Sequence, residues 1–163
     1  MTKEPMTQAG YQKLVNQLAD LKNNQRGIVA KEIQAARELG DLKENAEYHA
    51  AKEKQSLLEA KIAQLEDISS RAQVVNPEKL EHKRVSFGST VEFEDLDTGK
   101  KEKYTIVGLF EADLSMGYIS YNSPLAKALL GKAAGDDCVV KLPANTRELE
   151  ILKVYYEEIK VKA

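Results

Sequence analysis

Charged residues cluster around one glycine, Gly40, in the first half of the sequence. Asp41 and Glu44 follow this glycine, Arg37 precedes it, and Lys52 comes after the two acids. Two carboxylates on one exposed turn can share a hard divalent cation and orient a water bound to it, as phosphoryl-transfer chemistry requires. Arg37 and Lys52 would then steer a phosphate backbone nearby.

The same acids also have a purely structural interpretation. Asp41 with Glu44 three residues later forms the N-cap and capping-box pair that begins a helix, and acids there complement the helix dipole. Arg37 and Lys52 would then be solvated surface residues. This interpretation leaves unexplained why the acids lie at the far end of a long hairpin, so both remain open.

Magnesium would be held only weakly by Asp41 and Glu44 alone, because the ion gives up water reluctantly and requires six oxygen ligands. We therefore expect no metal bound by the chain alone, and no free-standing nuclease. The cluster would instead be the missing part of a metal site whose other ligands belong to a partner.

Two heptad seams predict the elements that position this cluster. Paired in opposite directions, the numbers of facing residues sum to one constant, which centres the turn between Asp41 and Leu42. The facing residues, first seam and then second, are Tyr11 and Ala72, Leu14 and Ser69, Leu18 and Leu65, Leu21 and Ile62, Gln25 and Leu58, and Ile28 and Gln55. The second seam continues to Ala51 and Tyr48.

The first helix of this hairpin should run over about 8–39, with Thr7 as its N-cap and Gly40 as its C′ residue. Such a helix is a rod of roughly 45–50 Å. Gln25 and Gln55 replace large apolar residues, so the seam should thin toward the turn. A long hairpin with a weakly packed far end is suited to reaching into a narrow space.

The second half of the chain predicts a small β-rich domain. Strands are expected at 90–94, 104–107, 117–121, 138–140 and 149–154, with one short helix over 124–130 that Ser123 caps and Pro124 begins. The fold class is therefore α+β, with an antiparallel α-helical coiled coil over 1–75, its acidic tip near 40–44, a linker over 76–84, and a globular domain over 85–163.

Composition excludes several classes of protein. The 163 residues carry 24 basic and 26 acidic side chains, so no overall positive charge would hold the chain on duplex DNA or an anionic membrane. No apolar run is long enough to span a bilayer, and the N-terminus lacks the apolar segment of a secretory signal. Cys138 is the only cysteine, which fits a reducing cytoplasm.

The segment from Ala36 to Lys52, ARELGDLKENAEYHAAK, closely resembles the tip of the GreA/GreB family of bacterial transcript cleavage factors. The segment from Asn122 to Lys132, NSPLAKALLGK, is similar to the C-terminal signature of that family. Ala72–Val75 and Phe87–Val91 also match, so the resemblance extends from Met6 to about Tyr156.

The resemblance implies an FKBP-like C-terminal domain that docks at the rim of the secondary channel of bacterial RNA polymerase, while the coiled coil passes down the channel. The tip would help to hold the second catalytic Mg²⁺ of the polymerase and to position the attacking water. Backtracked RNA would then be cut near its 3′ end by the polymerase itself, and elongation would resume. The chain would be an accessory factor, not an enzyme, with no membrane partner, and a cytoplasmic monomer.

Residue by residue, the resemblance matches Asp41 and Glu44 to the metal- and water-handling acids. Arg37 and Lys52 match the basic positions that meet the extruded RNA, and Ser123 and Pro124 fall in the segment expected to touch the polymerase. Residues 1–75 carry 11 basic and 11 acidic side chains, and this neutral coil favours the GreA branch over the more basic GreB branch.

Two other functions fit parts of the sequence. A protein on the same scaffold could plug the secondary channel and inhibit the polymerase without promoting hydrolysis. A tip crowded with further acids would favour that version, whereas the spacing of Asp41 and Glu44 does not. A generic adaptor with an FKBP-like isomerase domain is the third possibility. The second half has only three Phe, no Trp and no evident aromatic-lined pocket, which argues against it.

Overall fold

The computed structural model describes residues 2–41 and 45–162 and shows an α+β protein. Contacts divide the chain into two compact units. The first unit contains Gln12–Ala72, and the second contains Lys3–Tyr11 together with the chain from Gln73 onward. The first strand and the first helical turn are therefore part of the second unit.

The first unit is a long helical hairpin. Its first arm consists of α1 (Gln8–Asp20), a π-helical turn (Leu21–Gln25) and α2 (Arg26–Arg37), and its second arm is α3 (Ala46–Ser70). The first arm begins as predicted, since the Thr7 hydroxyl accepts a hydrogen bond from the Gly10 N–H at 3.0 Å. It ends at Arg37, two residues before the predicted end.

The π-helical turn changes the predicted seam. A π turn holds one more residue than an α turn would, so every position after it is rotated on the helix surface. Ile28, predicted in the seam, is 48% exposed, whereas the neighbouring Val29 is 1% exposed. The prediction for Ile28 is therefore wrong, and the inward positions continue through Ile33 and Ala36.

The apolar seam does not thin at the far end of the hairpin, contrary to the prediction. Val29 and Ile33 on α2 form a buried cluster with Ala51 on α3, and Tyr48 and Leu58 pack against it. Ion pairs cross the hairpin beside the seam: Lys22–Glu66 at 2.9 Å, Arg26–Glu59 at 2.8 Å and Glu32–Lys54 at 3.0 Å. Their side chains are well exposed, so each pair adds little stability.

The second unit contains a five-stranded sheet and one short helix, as predicted. The strands are β3 (Ser89–Asp95), β4 (Lys101–Val107), β5 (Tyr118–Ser120), β6 (Asp137–Lys141) and β7 (Thr146–Tyr156), in the order β5-β4-β3-β7-β6. Within this sheet β4 and β5 pair in parallel, and the other neighbouring strands pair antiparallel. Helix α4 (Pro124–Leu129) buries Ala126 and Leu129 in the core with Phe93, Ile106 and Ile151.

The sequence did not predict a second, two-stranded sheet, formed by β1 (Glu4–Met6) and β2 (Ala72–Val74). His82 lies in the segment expected to be the linker. His82 is half-buried, with its Nε2 2.6 Å from the Pro77 carbonyl, its Nδ1 2.7 Å from the Ser89 hydroxyl, and its ring stacked on Tyr156. Across the two described stretches, no helix has the length and apolarity needed to cross a membrane.

Candidate functional site

The apex of the hairpin begins where α2 ends. The Leu39 N–H donates to the Ala36 carbonyl at 3.1 Å, and the Gly40 N–H approaches the Arg37 carbonyl at 3.4 Å. Gly40 has a φ of 118°, a conformation that favours glycine. Gly40 lies two residues after the helix C-cap Glu38, so it follows the C′ position and does not occupy it as predicted.

Helix α3 has a different N-cap from the one predicted. The cap is Asn45, whose side-chain oxygen accepts a hydrogen bond from the Tyr48 N–H at 3.0 Å. Asp41 lies four residues earlier in the sequence and does not occupy the cap position. The predicted capping box of Asp41 with Glu44 is therefore wrong. A capping motif was easy to misassign because Asp and Asn are equally good N-caps.

Asp41 is exposed at the apex and lines a shallow depression together with Leu39, Asn45 and Glu47. Glu47 is exposed in the first turn of α3, where a negative charge complements the helix dipole. Leu39 is 65% exposed, so the apex presents an apolar side chain beside the carboxylates. Glu44, the second predicted acid, lies outside the described residues.

The two predicted basic residues belong to the same region of the hairpin, one on each arm. The Arg37 guanidinium carbon lies 5.9 Å from the centre of the Tyr48 ring, within the range of a cation–π contact. Lys52 is one helical turn after Tyr48 on α3, and its Nζ donates to the Gln55 side chain at 3.1 Å. Tyr48 itself packs against the Val29–Ile33–Ala51 cluster, as predicted.

The predicted polymerase-binding residues begin helix α4 in the second unit. The Ser123 hydroxyl accepts from the Ala126 N–H at 3.2 Å, and Pro124 is the first helical residue, which confirms their predicted structural roles. Ser123 also lines a shallow depression with Leu114, whose side chain is 78% exposed. An exposed leucine beside an ordered helix start offers an apolar contact for another molecule.

The donor set at the apex fits one role toward a metal ion. Among residues 2–41 and 45–162, no three His, Cys, Asp or Glu side chains come together as a metal cluster. The exposed Asp41 carboxylate supplies hard oxygen atoms, which are the ligands that Mg²⁺ prefers. It is therefore suited to act as one ligand of an ion whose other ligands come from another molecule.

Comparison with known proteins gives concordant results for both parts of the chain. Residues 4–74 match the family described as "Transcription elongation factor, N-terminal", and residues 80–156 match "Transcription elongation factor, GreA/GreB, C-term". Two relatives named transcription elongation factor GreA are 61% identical (Nautilia profundicola; 98% of each chain covered) and 52% identical (Helicobacter pylori; 98% of this chain and 97% of the relative). A crystal structure of the Gfh1 protein of Thermus thermophilus is 32% identical, with a TM-score of 0.43 over 94% of this chain and 99% of the other.

Proposed function

Because the chain belongs to the GreA/GreB family of transcription elongation factors, we propose that it stimulates bacterial RNA polymerase to cleave backtracked RNA. The helical hairpin would enter the secondary channel of the polymerase and bring its apex to the active site. Elongation would restart from the new RNA 3′ end. The chain is then an accessory factor, and the polymerase performs the hydrolysis.

Asp41 and Glu44 would be ligands to a magnesium ion shared with the polymerase active site, and this ion would supply an activated water for hydrolysis. Arg37 and Lys52 would contact the phosphates of the extruded RNA. The contact of Arg37 with Tyr48 supports this role, because an aromatic ring restrains the guanidinium close to the apex. Lys52 acts as a point charge and can follow a mobile backbone.

The observation that carries this proposal is the identity of the helix cap. Asn45 is the N-cap of α3, so helix capping does not explain why Asp41 lies at the apex. Asp41 is exposed at the apex of a hairpin whose seam is packed to its far end. A well-packed arm that presents an exposed carboxylate is suited to delivering that carboxylate to a distant site.

We propose that the second unit docks on the polymerase. Ser123 and Pro124 at the start of α4, with the exposed Leu114 beside Ser123, would contact the rim of the channel. We further propose that the hairpin is a coiled coil and that the second unit is FKBP-like. The ion pairs that flank the apolar seam support the first of these descriptions. The protein would act in the cytoplasm as a monomer.

Inhibition without cleavage is the alternative function. Relatives that cover nearly the whole chain are named transcription elongation factors, and this supports stimulation of elongation.

The test is RNA cleavage in stalled, backtracked polymerase complexes with Asp41→Asn combined with Glu44→Gln. Cleavage stimulation should disappear while thermal melting and competition for polymerase binding remain unchanged. Glu38→Gln is the matched control, since it removes an exposed carboxylate from the same apex. If the double variant stimulates cleavage as well as Glu38→Gln does, the acids have no catalytic part.

A further inference from the structure

Asn45 bonds to both arms of the hairpin through one side-chain amide. Its oxygen accepts from the Tyr48 N–H at 3.0 Å, which caps α3. Its Nδ2 donates to the Ala36 carbonyl in the last turn of α2 at 2.6 Å. The first bond is an ordinary helix cap, whereas the second joins the end of one helix to the start of the other.

The Ala36 carbonyl is the centre of this arrangement. It accepts the Leu39 N–H at 3.1 Å from the turn that follows α2, as well as the Asn45 amide. A carbonyl oxygen has two lone pairs, so both bonds can form together. The amide is partly buried, and bonds of this kind are costly to leave unmade. The turn that leads to Asp41 is therefore tied to the start of α3.

We propose that Asn45 is a positioning residue for the acidic apex, acting through its bond to Ala36 and not through its helix cap. This inference rests on the proposed function of Asp41. Asn45 and Asp41 line the same depression, and the amide holds the two helix ends between which Asp41 lies. A fixed distance between these ends restricts the positions open to the carboxylate, and catalysis is sensitive to displacements of about 1 Å.

A substitution can separate the two bonds of Asn45. In Asn45→Ser the hydroxyl still caps α3, because Ser is as good an N-cap as Asn, but the shorter side chain cannot reach Ala36. Asn45→Asp also keeps the cap and replaces the donor by a carboxylate oxygen, which cannot donate to Ala36. Asn76→Ser is the matched control, since Asn76 caps the short 3₁₀ helix Pro77–Lys79 in the second unit.

The first readout is amide hydrogen exchange of the free protein. Asn45→Ser and Asn45→Asp should speed exchange at Leu39 and Gly40 by about fivefold, the change expected when one ordinary hydrogen bond is lost. Exchange within α3 beyond its first turn should not change, nor should exchange at the apex of Asn76→Ser. Unchanged exchange at Leu39 and Gly40 in both Asn45 variants would overturn the proposed tie, whatever the function of the protein.

The second readout is cleavage at saturating factor. Both Asn45 variants should lower the maximal cleavage rate severalfold, while the concentration of factor needed for half-maximal stimulation stays the same. Faster exchange with an unchanged maximal rate would overturn the positioning role, provided that Asp41→Asn abolishes cleavage in the same assay. If Asp41→Asn leaves cleavage intact, the proposed function fails and the positioning role fails with it.

Discussion

Two helical glycines of the first arm should respond in opposite directions to the same substitution. Gly27, in α2, has open space around it: a methyl group there would meet nothing within 4 Å. A methyl group at Gly10, in the first turn of α1, would lie 2.5 Å from Cδ and 2.9 Å from Oε2 of Glu111. Glu111 is only 3% exposed, and its Oε1 accepts the Thr7 N–H, so displacing the carboxylate would break this hydrogen bond inside the protein.

The magnitudes follow from these surroundings. Gly27→Ala should stabilise the protein by about 0.5–1 kcal/mol, because alanine is the better helix former and nothing opposes it. Gly10→Ala gains the same stabilisation from the higher helix propensity of alanine, but the added methyl group must displace Glu111. Overpacking costs about 1–3 kcal/mol. Loss of the hydrogen bond to the charged carboxylate adds roughly 1.5–3 kcal/mol. The net destabilisation should therefore be about 1.5–5.5 kcal/mol.

Urea unfolding followed by circular dichroism measures both changes, and a double-mutant cycle identifies their cause. In a Glu111→Ala background the methyl group at position 10 has room, so Gly10→Ala should become neutral or stabilising. If Gly10→Ala stabilises the otherwise unchanged protein as much as Gly27→Ala does, Glu111 does not pack against the first turn of α1, and the reasoning is refuted.

Two further predictions concern helix register and acid stability. Deleting Asn23 should convert the π-helical turn into ordinary helix and change the free energy of unfolding by less than about 1 kcal/mol. Deleting Lys31 should instead lower the free energy of unfolding by about 2 kcal/mol or more, because it turns Ile33 out of the seam. Equal losses of stability in urea unfolding of the two variants would contradict this prediction. Burial tends to raise the pKa of Asp95, but the Arg147 side chain at 3.0 Å and the N–H groups of nearby backbone lower it overall. A carboxyl whose pKa is lower in the folded protein stabilises the fold above its unfolded pKa and loses that contribution as pH falls through the folded value. Unfolding between pH 7 and 2 should therefore show a loss of stability below about pH 4, and the loss should be smaller in Arg147→Gln; an identical pH dependence in the variant would show that the pair does not contribute.

The hairpin could be predicted because its information is local and repetitive. Leu14, Ile62 and Leu65 recur at helical spacing, and all three are buried as the pattern requires. The pattern failed at Ile28 because a heptad count assumes a uniform helix. Asn23 and Asn24 in the π-helical turn are polar residues of an exposed surface, and nothing in their identity marks an inserted residue.

The apex was predicted less well because two capping residues compete there. Asp41 with Glu44 matches a capping box, while Asn45 matches a simple N-cap, and local propensity does not separate them. The structure selects Asn45, whose amide also reaches Ala36 on the other arm. That second bond joins residues nine positions apart across the turn, and only the folded hairpin brings them together.

Long-range contacts account for the other differences. Glu111 is an acid in a loop by its sequence, but in the structure it is buried against Thr7, 104 positions away. His82 looked like a linker residue, yet its ring stacks on Tyr156 at the end of β7. In both cases the partner lies far along the chain, so no sequence window around the residue contains the signal. The short β1–β2 sheet was missed for the same reason.

The central claim is that the apex carboxylate helps to hold magnesium during RNA cleavage. The most direct test measures the cleavage rate of backtracked polymerase complexes against Mg²⁺ concentration, without factor, with the unchanged protein, and with Asp41→Asn, each factor at saturation. We predict that the unchanged protein lowers the Mg²⁺ concentration needed for half-maximal cleavage, and that the Asp41→Asn curve coincides with the curve without factor. If Asp41→Asn lowers the Mg²⁺ requirement as much as the unchanged protein does, this carboxylate is not a ligand, and the proposed mechanism is wrong.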